Sequence, residues 1–303
     1  MGSVTGMRVG VIVLPEQRWV DAAHRWRRLD EWGFDTAWTY DHLAWRSLAD
    51  GPWFATVPTL AAAATVTSRI RLGTFVASPN FRHPVPFAKE LMSLDDVAGG
   101  RFVLGVGAGG TGLDARVLGQ DVLSAGERVG RFAEFVELLD LLLTSPSTSY
   151  DGSWYRSVEA RMLPGCVQAP RLPFVVAANG ARAMRVAARH GQGWVTTGMT
   201  TDEGAGEDRW WAGVAEAVSR MDGVLADEGR SPGDLERYLS LDASGAFGLA
   251  SVDHLRDAIG RAQGLGFAEV VVHWPRAEGV YEGSEGVLEE VATELLPELH
   301  TAT

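Results

Sequence analysis

Three places in this chain carry residue types that could do chemistry. His42, in Trp38-Thr39-Tyr40-Asp41-His42-Leu43-Ala44-Trp45, can change charge near neutral pH and so act as an acid, a base or a ring contact. Beside Trp38, Tyr40 and Trp45 it is equally compatible with a satisfied structural histidine among packed rings. His83, before Pro84, and His273, before Trp274-Pro275, are weaker candidates of the same kind. A second place is the glycine cluster that ends Phe102-Val103-Leu104-Gly105-Val106-Gly107-Ala108-Gly109-Gly110. It formally matches G-x-G-x-x-G, but the dinucleotide fingerprint needs an acidic residue ending a second strand about 20 residues later. The stretch at that distance, Gly130-Arg131-Phe132, reads as mid-helix. The glycines instead let the backbone lie flat against a ring or phosphate, or form a flexible loop. The third place is Ala178-Asn179-Gly180-Ala181-Arg182, where exposed amides at a helix start could hold a phosphate and Arg182 would add charge. Ordinary capping by Asn179 is the alternative.

Other chemistries are poorly supported. There is no His-Glu-x-x-His run, and the strand ends carry no cluster of two or three carboxylates with histidines, which disfavours a metal hydrolase. Asp95-Asp96 read as the solvated end of a helix. Lys89 is the only lysine, and its amphipathic setting leaves the ammonium near solvent, against Schiff-base or pyridoxal chemistry.

The elements that must position these residues alternate. Strands are expected over Arg8–Leu14, Thr36–Tyr40, Ile70–Ala77, Phe102–Gly107, Phe174–Ala177, Trp194–Thr197, Tyr238–Leu241 and Glu269–Val272. Helices follow over Trp19–Trp32, Thr56–Val66, Pro84–Ala98, Ala125–Leu143, Ala181–His190, Trp210–Glu228, Val252–Leu265 and Val287–Leu299. Eight such units in 303 residues favour a (β/α)8 barrel over an open doubly wound sheet. One barrel domain over 7–303 is expected, with an excursion at about 144–173. There Tyr150-Asp151-Gly152 before Trp154-Tyr155 resembles a hairpin turn. That excursion either covers a site at the top of the barrel or decorates its surface. In such a barrel chemistry sits at the C-terminal strand ends, here mostly small, aromatic and neutral residues.

A net charge of −12 argues against a nucleic-acid partner. One cysteine, Cys166, allows no intrachain disulfide. The start lacks a signal-peptide pattern, and no apolar stretch approaches the roughly 20 residues that span a membrane. A cytoplasmic protein with no membrane partner is expected.

Taken in order, these pieces resemble the luciferase-like superfamily of flavin- and deazaflavin-dependent oxidoreductases. The resemblance rests on Tyr40-Asp41-His42, on Ile70-Arg71-Leu72-Gly73-Thr74 leading to Arg82-His83-Pro84, and on Gly100-Arg101-Phe102 through Gly109. It continues through Ala178-Asn179-Gly180 and Ala187–Trp194 to Val270–Arg276. It implies a (β/α)8 barrel, commonly a homodimer, that holds reduced coenzyme F420 or, alternatively, FMN. His42 and Trp45, with Asp41, would lie at the catalytic centre. Phe75, Val76, Ala77 and Ser78 would back the cofactor ring, Gly107, Ala108 and Gly109 would contact it, and Asn179, Gly180, Ala181 and Arg182 would bind its phosphate. The activity implied is F420-dependent hydride transfer to or from a small organic substrate. The alternatives are an FMN-dependent monooxygenase using reduced flavin and oxygen, served by a reductase partner, or a barrel that binds flavin without turnover. In the sugar-phosphate dehydrogenase branch a glutamate follows the glycine motif. Here Gly110 stands at that position, which argues against glucose-6-phosphate oxidation.

Overall fold

The first and last strands of this chain are hydrogen-bonded neighbours, and that pairing closes the sheet. A computed structural model describes residues 6–110, 112–199 and 206–301. The strands of the barrel are β1 (Arg8–Ile12), β2 (Thr36–Thr39), β3 (Arg71–Thr74) and β4 (Phe102–Gly107). After an antiparallel pair, β5 (Ser147–Asp151) and β6 (Arg156–Arg161), come β7 (Phe174–Ala177), β8 (Gly193–Thr196), β9 (Glu236–Ser240) and β10 (Glu269–His273). All eight barrel strands run parallel in the order β1-β10-β9-β8-β7-β4-β3-β2. Closure sets Arg8 opposite Glu269 and Ile12 opposite His273.

Each strand feeds a helix on the outside: α1 (Trp19–Trp32), α2 (Thr56–Val66), α3 (Pro84–Val97), the short α4 (Leu113–Val117), α5 (Ala125–Thr144), α6 (Ala181–His190), α7 (Glu207–Asp227) and α8 (Val252–Gly264). Helix starts and stops follow local chemistry. Gly33, at φ 88°, ends α1 in the left-handed region. Ser124 and Glu127 form a reciprocal capping box on α5. The last helical stretch, expected as one helix from Val287 to Leu299, runs as α9 (Glu285–Glu290), a wider π turn over Val291–Leu295 and α10 (Leu296–His300). Pro297 lacks the N–H that a regular i to i−4 bond would need, and the widened turn precedes it.

The period of two along each strand sorts residues between two cores. Val9, Val11, Ala37, Val270 and Val272 face the helices. Ile12, Trp38, Val103, Val195 and Val271 fill the barrel interior. The interior is tight: a Cβ on Gly73 would lie 2.4 Å from Trp38, and one on Gly105 would lie 2.0 Å from the Thr74 carbonyl oxygen. Toward the N-terminal end the fully buried Glu269 accepts hydrogen bonds from Trp38 Nε1, Thr36 Oγ1 and Arg8 Nε. Burial pushes the pKa of its carboxyl up, with Arg8 pulling the other way. Trp38 is therefore a floor residue of the barrel and not a neighbour of His42.

One expectation is corrected, and the excursion takes the second of its two readings, a decoration of the surface. Asp95 is fully buried; it accepts from the Val167 and Gln168 amides at 2.7 and 3.0 Å and from Gln168 Nε2 at 2.7 Å, so it anchors the returning excursion. The excursion joins the end of α5 to the start of β7, which places its base at the N-terminal side of the barrel. Its β5–β6 hairpin lies on the outer wall, where Glu134 of α5 accepts from the Ser153, Trp154 and Tyr155 amides. No residue of 144–173 borders the cavity at the strand ends.

Candidate active site

The C-terminal strand ends enclose a cavity of about 790 Å³, within the few hundred to about 1,000 Å³ usual for small-ligand sites. His42, just beyond β2, stands on its wall with Trp45, the two ring centroids 4.5 Å apart. Nδ1 of His42 lies 2.8 Å from Oδ2 of Asp114, and the other oxygen of that carboxylate accepts from the Leu43 amide at 2.7 Å. Asp114 is in the first turn of α4, and its side chain is 2% exposed against 14% for His42. A carboxylate only accepts, so the imidazole hydrogen sits on Nδ1 and Nε2 is free to take a proton. Trp53 Nε1 donates to the His42 carbonyl at 2.8 Å and fixes the loop. The neutral wall expected from the strand ends thus carries a carboxylate. Gly110 leaves that position empty of acid, and the chain supplies one four residues later.

The floor comes from β3 and β4. Phe75, Val76, Ser78, Gly107, Ala108 and Gly109 border the cavity, and the Phe75–Val76 peptide is cis. Gly109, at φ 75°, presses on Asn80, whose amide nitrogen would lie 2.2 Å from a Cβ there. A Cβ on Gly107 would lie 3.0 Å from Val76 and 3.3 Å from Ala177. Bare backbone at these positions makes a flat, largely apolar cradle that any side chain would fill. Ala77 belongs to the other face: it is fully buried in the outer core and bonded to the Gly105 carbonyl and Gly107 amide.

At the start of α6, Asn179 borders the cavity, with its side chain bonded to Thr196 and Thr197 at 2.7 and 2.8 Å. It does not cap the helix. The N-cap is Gly180, with no side-chain bond to the first turn, so that turn retains amides available to an anion. Gly180, Ala181 and Arg182 are exposed beside the cavity and outside its lining.

Asp41 points elsewhere. Its carboxylate, 1% exposed, takes a two-pronged bond from Arg82, with Nη2 to Oδ1 at 2.7 Å and Nε to Oδ2 at 3.1 Å, and it does not border the cavity. His83 caps α3 and rests on Tyr155, also away from the cavity. His273 does border it, together with Tyr40, Asp242 and Tyr281. Burial pushes the Tyr40 hydroxyl pKa well above its ordinary range, and burial raises that of Tyr281 too. Asp114, Asp242 and Tyr281 were missed by sequence reasoning. Asp242 lies in the short turn two residues beyond β9, Asp114 in the first turn of α4 and Tyr281 on the loop after β10, and none of the three has a sequence motif of its own.

Among the described residues, no group of histidine, cysteine and carboxylate side chains is placed to hold a metal ion, and no helix is long and apolar enough to cross a membrane. Comparison with known proteins gives a consistent family. The family model described as luciferase-like monooxygenase matches residues 1–246. The F420-dependent glucose-6-phosphate dehydrogenase of Beutenbergia cavernae is 30% identical over 314 residues, covering 88% of this chain and 89% of that protein. The 4-hydroxyprotoasukamycin monooxygenase of Streptomyces nodosus subsp. asukaensis is 33% identical over 208 residues, covering 67% of this chain and 53% of that protein. Among solved structures, the coenzyme F420-dependent tetrahydromethanopterin reductase from Methanopyrus kandleri has the same fold, with a TM-score of 0.76 and 19% identity, covering 97% of this chain and 99% of that one.

Proposed function

Because the chain belongs to the luciferase-like monooxygenase family, we propose that it moves a hydride between coenzyme F420 and a small organic substrate, with His42 handling a proton. The observation that carries this reading is the His42–Asp114 pair on the wall of a cavity floored by bare backbone. The residues fit such a cofactor. Phe75, Val76 and the stretch Gly107–Gly109 offer a flat surface to a ring system, and the uncapped start of α6, with Arg182, offers amides and charge to a phosphate. When bound, the deazaflavin supplies two-electron hydride chemistry.

The side chains do the rest. Asp114 holds the His42 ring and stabilises the imidazolium that forms when Nε2 takes a proton. Trp45, packed at 4.9 Å from the Tyr40 ring and 4.5 Å from the His42 ring, limits water at that nitrogen. Among the described lining residues Arg46 is the single permanent cation, and it is exposed. One exposed guanidinium is a thin provision for a sugar phosphate, which supports a substrate other than glucose 6-phosphate.

A second reading, an FMN-dependent monooxygenase, draws on the similarity to the 4-hydroxyprotoasukamycin monooxygenase, which supports its monooxygenase part. Fluorescence titration of cofactor-free protein with F420 and with FMN, in oxidised and anaerobically reduced forms, separates the two. Selective F420 binding is expected, and selective FMN binding would overturn it in favour of oxygen chemistry with a reductase partner. The family resemblance also supports a homodimer in the cytoplasm; light scattering of purified protein, with a mass near twice 32.6 kDa, is the expected result.

A further inference from the structure

A second imidazole–carboxylate pair opens on the same cavity, and it ends in two hydroxyl groups. Asp242 Oδ2 lies 2.7 Å from both the backbone nitrogen and the Nδ1 of His273, and its Oδ1 accepts from the Gly248 amide. Both side chains of this pair are 2% exposed. His273 Nε2 lies 2.7 Å from Tyr40 Oη, and Tyr40 Oη lies 3.0 Å from Tyr281 Oη. The Tyr281 ring stacks on the His273 ring at 3.5 Å and 7°, held there by a left-handed backbone at φ 62° that a non-glycine residue seldom adopts. His273 and Tyr281 lie beyond residue 246, where the family match ends.

The direction of this chain follows from donor counting. The carboxylate accepts two bonds at one oxygen, so Nδ1 carries the imidazole hydrogen and Nε2 accepts from Tyr40. Tyr40 Oη then accepts from Tyr281, and Tyr281, the half-buried outermost member, keeps its lone pairs toward the cavity. We propose that Tyr281 is a catalytic residue that takes the proton of a substrate hydroxyl, with Tyr40, His273 and Asp242 as the positioning residues that carry that proton inward. The inference rests on the F420 reading above and narrows its substrate to an alcohol, or in reverse its ketone or aldehyde. As the alcohol is oxidised, its O–H proton passes to Tyr281 Oη, the Tyr281 proton to Tyr40 Oη and the Tyr40 proton to His273 Nε2. The imidazolium is left facing Asp242. The carbon's hydrogen leaves with its electron pair to oxidised F420, the oxygen closes to a carbonyl, and His42 is left to exchange the separate proton that F420 gains or loses with the hydride.

The tautomer can be read without cofactor or substrate, by NMR of protein labelled with 15N-histidine. His273 should be neutral with its hydrogen on Nδ1, and its Nε2 signal should shift in Tyr281→Phe, which keeps the stacked ring. A hydrogen on Nε2 would reverse the chain and overturn the proposal. The turnover arm uses F420 with a panel of primary and secondary alcohols. Tyr281→Phe should bind F420 as the parent does and lower kcat by about 10²–10⁴-fold with KM changed only a few-fold. Parent-like kcat in Tyr281→Phe, or no alcohol oxidised by parent protein that binds F420, would sink it. Failure of the parent to bind F420 would instead overturn the cofactor reading and the oxidation step built on it.

Discussion

At the level of single residues, two neighbours in sequence have opposite fates. His42 borders the cavity and is oriented by Asp114, whereas Asp41 is locked to Arg82 behind it. His42→Ala should therefore leave folding and cofactor affinity largely intact and cut turnover by about 10²–10⁴-fold, measured as kcat beside a fluorescence titration. Asp41→Asn should do the reverse. Removing one partner of a buried ion pair costs about 3 kcal/mol, at the low end of the usual range because Glu90 still holds Arg82. Urea denaturation would show that loss, while turnover per folded molecule stays near the parent's. His42 was legible in sequence because a strand end and flanking rings mark it locally. Its carboxylate was not, because Asp114 lies 72 residues away and only the side-by-side pairing of β2, β3 and β4 in the sheet brings α4 over the end of β2. The same holds for Tyr281, 241 residues from Tyr40.

Among the elements, boundaries with a local chemical cause were readable: α1 with its glycine stop, α2, and α6 between its small-residue turn and Gly191. What sequence patterning missed was which face of the barrel an insertion joins. The excursion after α5 leaves from a helix end, and a helix end in this fold lies at the opposite pole from the strand ends. Asp30 shows how the same pole is held. It lies near the end of α1 and accepts from the amides of Ser68, Arg69 and Ile70 at 2.7–2.8 Å, the segment leading into β3. Burial alone would raise its pKa, but these bonds and the Ser68 hydroxyl hold the pKa below the usual carboxylate range. With the folded value depressed, the stabilisation is complete above the unfolded carboxyl pKa and is lost as pH falls through the folded one. Asp30→Asn should cost about 2 kcal/mol at neutral pH. The gap between variant and parent should narrow as denaturation is repeated at progressively lower pH, and a gap independent of pH would rule out the carboxylate as its source.

Over the whole molecule, chemistry and cohesion are kept apart. One end of the barrel is plugged by Glu269, Trp38 and Arg8, while the other carries two imidazoles that both meet the Tyr40 ring, at centroid distances of 6.0 and 5.5 Å. The bond that ties Gly6 to Leu299, at 2.8 Å, sits with the sheet closure of β1 on β10. A closed ring of parallel strands has no intrinsic first member, so the order in which this chain visits its strands is a matter of history more than of mechanics. Fusing the segments around Gly6 and Leu299 through a short linker and cutting instead between Gly229 and Arg230, after an exposed glycine in a turn that does not border the cavity, should yield a circular permutant with parent-like circular dichroism and unchanged cofactor affinity.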